Sequence, residues 1–198
     1  NDHMIFNADI SGWNTAAVTN IHGMFDQCKV FNVAGTQDLS TWNTAAVKDM
    51  RDAFRDAEKF NGDISTWNIT NVTFMAGLFN GARSFNGDIS NWNTANVTNM
   101  MFMFTNAVKF NGDISNWDTA KVTNMNRMFT NAQEFNQNIN TLGKSWNTSA
   151  VASMERMFQG ALKFNGAISN WDTAKITNMS GMFTNAQAFN QDINTNGD

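Results

Sequence analysis

The stretch Phe110–Glu134 reads FNGDISNWDTAKVTNMNRMFTNAQE and is one copy of a 25-residue unit that recurs along the chain. Its pattern is F-N-x-D-I-S-x-W-[ND]-T-x-x-V-T-N-M-x-x-M-F-x-x-A-x-x. The leading phenylalanine returns at Phe6, Phe31, Phe60, Phe85, Phe110, Phe135, Phe164 and Phe189, with spacings of 25, 29, 25, 25, 25, 29 and 25 residues. Repetition at such a period is typical of a solenoid, in which each repeat contacts only its neighbours.

The two halves of the unit predict different local structures. In the second half, apolar residues fall at i, i+3, i+4 and i+7, namely Met125, Met128, Phe129 and Ala132. This spacing predicts a short amphipathic helix, with Thr123 or the asparagine after it as the N-cap. In the first half, Ile114 lies between polar residues after an Asn-Gly turn, which predicts a short strand with the isoleucine inward. We therefore predict an α/β solenoid of about seven turns, each with one short parallel strand and one short helix.

Most large apolar side chains lie in register, including all seven tryptophans and 15 of the 17 phenylalanines. Identical side chains stacked from repeat to repeat bury a continuous surface, so these columns predict a core rather than a ligand site. Cys28 stands in a column of alanines and is predicted to be a small buried residue. The asparagine after each leading phenylalanine is predicted to form an internal ladder that hydrogen-bonds turn backbone.

Charge and motif content exclude several functions. The net charge is -4, from 13 basic and 17 acidic residues with no basic run, which disfavours nucleic acid and anionic membranes as partners. No apolar segment approaches the roughly 20 residues of a membrane helix, so membrane insertion is not expected. The chain lacks the H-E-x-x-H, G-x-S-x-G and P-loop motifs, and its one cysteine cannot form an internal disulfide. We predict no catalysis, no cofactor and no metal site.

The ends of the chain suggest how the domain is bounded. Residues 1–4, Asn-Asp-His-Met, resemble an expression-vector remnant, and we expect residues 5–198 to form a single repeat domain. Both ends interrupt a repeat without a recognisable polar cap, which favours a fragment of a longer array.

The joint pattern of M-F-x-x-A-x-x-F-N and D-I-S-x-W resembles the short repeats of BspA-like leucine-rich-repeat surface proteins of bacteria. The resemblance covers essentially the whole chain after residue 4. It implies a leucine-rich-repeat-like stack, an extracellular or bacterial cell-surface location, and a role in adhesion or ligand binding. It supplies no catalytic residues. Leu78 replaces a methionine, and Asn138 and Ala167 replace aspartates, which weakens only what is claimed for the aspartate column.

The first candidate for partner binding is a column of aspartates, each followed two residues later by serine: Asp63 and Ser65, Asp88 and Ser90, Asp113 and Ser115. If the isoleucine between them points inward, both side chains share the outer face. Stacked like charges repel, so the carboxylates either accept hydrogen bonds from local backbone or meet cations or a hydroxyl-rich partner. Asn138 in an equivalent position favours capping. Parallel columns also supply calcium ligands poorly.

Two further features depart from the regular unit. The first is a pair of insertions, one containing Gly35 and the other Leu142 and Lys144. Insertions in repeats form loops that often bind partners, although a longer loop costs little and needs no function. The second feature is an apolar set, Phe74, Met101 and Phe102, at positions that are polar in most other repeats. A cluster of this kind indicates either a contact surface or local packing.

These observations predict a non-catalytic, surface-displayed repeat module that binds a macromolecular partner, either a protein or a glycan. The alternative is a structural spacer or stalk segment, with the binding site elsewhere in a larger surface protein. A third function, ice binding through the threonines that follow the tryptophans, is disfavoured because each turn contributes only one such threonine.

Overall fold

The computed structural model describes residues 5–32, 38–140 and 146–193. Seven successive repeats in these ranges are joined by single-residue parallel β-bridges: Asn20–Asp49, Asp49–Phe74, Phe74–Asn99, Asn99–Asn124, Asn124–Ser153 and Ser153–Asn178. We number the repeats 1 to 7 by these bridge residues, so Asn99 belongs to repeat 4. The described ranges contain no α-helix and no strand longer than one bridge residue, and a 3₁₀ helix spans Leu39–Thr41. The predicted α/β solenoid, with one helix and one strand per turn, is therefore wrong.

The segment predicted to be helical is a run of turns tied to the neighbouring repeat. In repeat 4, the N–H groups of Phe102 and Phe104 donate to carbonyl oxygens of repeat 5, at 2.9 and 2.8 Å. The alternate N–H groups, such as that of Thr105, donate to the carbonyl three residues back at 3.1 Å. Phe102 and Asn106 have φ of +60° and +57°, outside the helical region. Backbone groups that an α-helix would use internally thus join repeats together.

The spacing of the repeats explains why the helix does not form. Equivalent rings of adjacent repeats are close, with Phe104 and Phe129 centroids 5.6 Å apart and Phe85 and Phe110 centroids 5.9 Å apart. Parallel extended chains stack about 4.8 Å apart, whereas packed helices need about 8–10 Å between axes. Successive helices therefore do not fit at this repeat distance. The chain keeps the same apolar residues inward with a narrower backbone.

The segment predicted to be a strand is a pair of overlapping turns. Asp113 Oδ1 accepts the N–H of Ser115 at 2.9 Å, and the N–H of Trp117 donates to Ile114 O at 3.1 Å. The aspartate thus takes the N–H that a strand would offer to its neighbour. Ile114 is nevertheless fully buried, so the predicted inward direction is confirmed.

The core is one continuous cluster formed by the columns that the repeat pattern singles out. Met125, Met128, Phe129 and Ala132 are all fully buried, as the i, i+3, i+4, i+7 spacing predicts. Rings within one repeat also pack closely, with Phe104 and Phe110 centroids 3.9 Å apart. Trp13 of repeat 1 differs from the later tryptophans because it is 53% exposed. Cys28 is buried as predicted, and burial raises the pKa of its thiol.

Side chains on the side opposite the bridges also connect the repeats. Trp117 Nε1 donates to Ile89 O of the preceding repeat at 3.1 Å, and other tryptophans do likewise. Thr94 Oγ1 donates to Asp118 O of the following repeat at 2.9 Å. The backbone N–H of Asn111 donates to Asn86 Oδ1 at 2.8 Å, which confirms the predicted asparagine ladder. No helix within the described ranges is long and apolar enough to cross a membrane.

Candidate functional site

The surface beside the bridges carries the residues that vary most from repeat to repeat. We define the ladder face as the bridge residues and the residues two and three positions after them. The second position holds His22, Arg51, Ala76, Met101, Asn126, Glu155 and Ser180, and the third holds Gly23, Asp52, Gly77, Phe102, Arg127, Arg156 and Gly181. Since backbone groups make the contacts between repeats here, the side chains are free to differ.

Phe74 occupies a bridge position that is asparagine in most repeats, and its side chain is 46% exposed. Arg51 of the preceding repeat lies against it, with Cζ 5.2 Å from the ring centroid. Arg51 also donates to Asp49, through Nε to Oδ1 at 3.0 Å and through Nη2 to Oδ2 at 2.6 Å. These hydrogen bonds hold the pKa of Asp49 below its usual value. A carboxylate and an aromatic ring together fix the guanidinium.

Met101 and Phe102 lie half-buried on the same face in the next repeat. Arg127 packs against Phe102, with Cζ 5.7 Å from the ring centroid, and its Nη2 lies 3.4 Å from Glu155 Oε1. The φ of +60° at Phe102 is unfavourable for a bulky residue, whereas glycine occupies the equivalent position in repeat 3. The ladder face therefore carries an apolar centre in repeats 3 and 4 with charged pairs on both sides.

A cleft of about 450 Å³ opens in this centre. Ala76 and Gly77 of repeat 3 are smaller than their neighbours, with Arg51 of repeat 2 on one side and Met101 and Phe102 of repeat 4 on the other. Of the three predicted apolar residues, the structure brings Met101 and Phe102 together at the cleft. Phe74 lies on the same face outside the cleft lining.

The aspartate column lies on a different side of each repeat and has a local role. Oδ1 of Asp63, Asp88 and Asp113 accepts the N–H of Ser65, Ser90 and Ser115, respectively, each at 2.9 Å. Asn138 makes the same bond to the N–H of Asn140 at 3.0 Å. The hydrogen bonds from the Ser90 N–H and hydroxyl keep the pKa of Asp88 below its usual value. These carboxylates cap turns, which is the interpretation that Asn138 favoured.

The other sequence candidates have different outcomes. Gly35, Leu142 and Lys144 lie outside the described residues. Thr15, Thr44, Thr94, Thr119 and Thr148, which follow the tryptophans, are buried, so they form no exposed threonine array of the kind that ice binding requires. In the part of the chain that the structure describes, no three His, Cys, Asp or Glu side chains are grouped so that they could hold a metal ion.

Sequence reasoning missed the arginines of the ladder face and the extent of side-chain turn capping. Arg51 and Arg127 each lie 25 residues before or after an off-pattern phenylalanine, and this one-period offset was a readable signal of contact. Two further columns cap turns as the aspartates do: Asn93 Oδ1 accepts the Ala95 N–H at 3.2 Å, and Asn99 Oδ1 accepts the Met101 N–H at 2.9 Å. The abundance of Asn and Asp at fixed positions was the signal for these turns.

Comparison with known proteins adds a family but no activity. A family model described as "Mycoplasma protein of unknown function, DUF285" matches residues 1–79, 62–145 and 140–196. The three consecutive matches agree with the repeats seen in the structure. The match does not reach the narrower resemblance to BspA-like leucine-rich-repeat proteins. No curated protein and no solved structure matches the chain.

Proposed function

The chain belongs to the DUF285 family, whose description names no activity, and we propose that it is a non-catalytic repeat module that binds a macromolecular partner through its ladder face. One observation carries the proposal: this face has an apolar centre, Phe74 with Met101 and Phe102, between the charged pairs Arg51–Asp49 and Arg127–Glu155. Contact surfaces between macromolecules commonly combine an apolar centre with a polar rim, and they are enriched in aromatic residues, methionine and arginine.

The chemistry of the face favours a protein or a glycan over nucleic acid. Its arginines are each engaged by a carboxylate, Arg55 by Asp26 and Arg51 by Asp49, so the face lacks the uncompensated basic patch that phosphates require. The resemblance to BspA-like repeats supports two further parts of the proposal, which are an extracellular or bacterial cell-surface location and a role in adhesion.

Two variants with matched chemistry test which side binds. The face variant replaces Phe74 with Asn, Met101 with Asn and Phe102 with Arg, residues that other repeats carry at these positions. The control variant replaces Asp63, Asp88 and Asp113 with Asn on the capping side. Each protein is immobilised and exposed to an extracellular-matrix extract, retained components are purified, and their dissociation constants are measured individually.

The proposal expects the face variant to bind a purified component at least about tenfold more weakly, a change of about 1.4 kcal/mol. The control variant should bind it within about twofold of the wild-type protein. Equal binding by the face variant would place the site elsewhere. Retention of no component by the wild-type protein would favour the structural spacer instead.

A further inference from the structure

We infer that the cleft between repeats 2 and 4 binds a neutral sugar residue of a glycan chain, an inference that rests on the proposed function and specifies its partner. The cleft volume of about 450 Å³ is within the range of small-ligand sites, roughly 300–1,000 Å³. Its space exists because Ala76 and Gly77 are small. Gly77 has φ +67°, and a Cβ there would overlap Asp52 Oδ1, so the chain requires glycine at this position.

The polar walls of the cleft are held in place before any ligand arrives. Arg55 Nε and Nη2 donate to the two carboxylate oxygens of Asp26, at 2.8 and 2.5 Å. Arg51 is held in the same bidentate manner by Asp49. Asn99 Oδ1 accepts a backbone N–H, which fixes its amide. Among the described residues, the Nη1 groups of both arginines and the Nδ2 group of Asn99 make no hydrogen bond, so preorganised donors remain for a ligand.

The charge balance of the cleft favours a neutral ligand. The two arginines that line it are opposed by three carboxylates, those of Asp26, Asp49 and Asp52. An anion would meet these carboxylates, and a cation would meet the guanidinium groups. A hydroxyl group both donates and accepts hydrogen bonds, so vicinal hydroxyls can use the arginine N–H groups and the Asp52 carboxylate together.

The opposite wall and the backbone favour a sugar over an extended peptide. Met101 and Phe102 offer an apolar surface that suits the C–H face of a pyranose ring. A peptide that adds as a strand needs free backbone groups at an edge. Here the Asp52 N–H donates to Ala76 O at 3.0 Å and the Gly77 N–H donates to Met101 O at 2.9 Å. Since the repeats use these groups themselves, recognition depends on side chains.

The test uses neutral trisaccharides as probes, namely maltotriose, cellotriose, mannotriose and chitotriose, with sialyllactose as the acidic comparison. Saturation-transfer NMR detects weak binding to the whole chain. Ala76→Arg fills the cleft with a residue that repeat 2 already carries in this column. Ser180→Arg adds the same side chain in repeat 7, away from the cleft, as the matched control.

We expect at least one neutral trisaccharide to bind the wild-type protein, with affinity reduced at least about tenfold by Ala76→Arg and within about twofold for Ser180→Arg. No neutral binding, binding of sialyllactose alone, or equal binding by Ala76→Arg would overturn the inference. If the face variant described above loses a protein partner while no sugar binds, the proposed function stands and this inference fails. If the face variant loses no partner at all, the proposed function itself fails.

Discussion

The two sides of each repeat connect to their neighbours by different chemical groups. On the ladder face, backbone N–H and carbonyl groups join the repeats, as between Phe104 and Met128 at 2.8 Å. On the opposite side, side chains do so: Trp117 reaches Ile89 O at 3.1 Å, and Thr94 reaches Asp118 O at 2.9 Å. Because every residue supplies the same backbone groups, the ladder face tolerates any side chain. The opposite side requires particular residues, and this difference separates the surface available for function from the surface needed for folding.

The largest effect is expected for a tryptophan on the side-chain-linked side. Trp117→Ala should lower the free energy of unfolding by about 3–5 kcal/mol, because it removes a fully buried ring and its hydrogen bond. Urea denaturation followed by far-ultraviolet circular dichroism measures it. Trp13→Ala in the same column is the control and should cost much less, since Trp13 is half-exposed. Equal losses for the two variants would contradict the distinction between buried and end positions.

A buried threonine should show a smaller effect. Thr94→Val keeps the shape and removes the hydroxyl that donates to Asp118 O, so we expect a loss of about 1 kcal/mol in the free energy of unfolding. Thr66→Val is the control because Thr66 makes a similar bond, to Ser40 O at 2.8 Å, while exposed to water. Chemical denaturation of both variants should give a clear difference. A loss at Thr66 as large as that at Thr94 would show that burial is not the cause.

Turn capping by aspartate predicts a pH dependence. The pKa of Asp88 is lower in the folded chain than in the unfolded chain, because Ser90 donates to the carboxylate. The stabilisation is therefore present above the unfolded pKa of about 3.9 and is lost as the pH falls through the folded pKa. Asp88→Asn should retain the cap at pH 7 and make unfolding less sensitive to acid. Urea midpoints at pH 7 and at about pH 2.5 test this, and an unchanged pH dependence would contradict it.

The smallest effect is expected on the ladder face. Phe74→Asn places the usual residue of this column at repeat 3, and we expect the free energy of unfolding to change by no more than about 0.5 kcal/mol. The half-exposed ring contributes little burial, and its contact with Arg51 is at the surface. Differential scanning calorimetry provides the measurement. A loss above about 2 kcal/mol would mean that Phe74 is a structural residue, which would weaken its assignment to a binding surface.

Burial could be predicted from the sequence because it depends on register alone. Met128 and Phe129 are inward in a helix and also in the turns that form, so the apolar spacing identified the core without identifying the backbone. The candidate site was predicted in part. Phe74, Met101 and Phe102 stood out by composition, whereas the cleft depends on where Arg51 and Gly77 lie in three dimensions. Their proximity follows from stacking and has no local signature.

The sequence by itself determined the repeat period, the inward columns and the asparagine ladder, because each follows from which residue types recur at which spacing. Only the tertiary structure decided the backbone conformation. A repeat placed about 5–6 Å from its neighbour shares hydrogen bonds with that neighbour, as Phe102 N–H does with repeat 5. An α-helix would need all these groups for itself and more room than the stack provides. The physical reason is that hydrogen bonding between repeats, which no single repeat contains, outweighed the local helical periodicity.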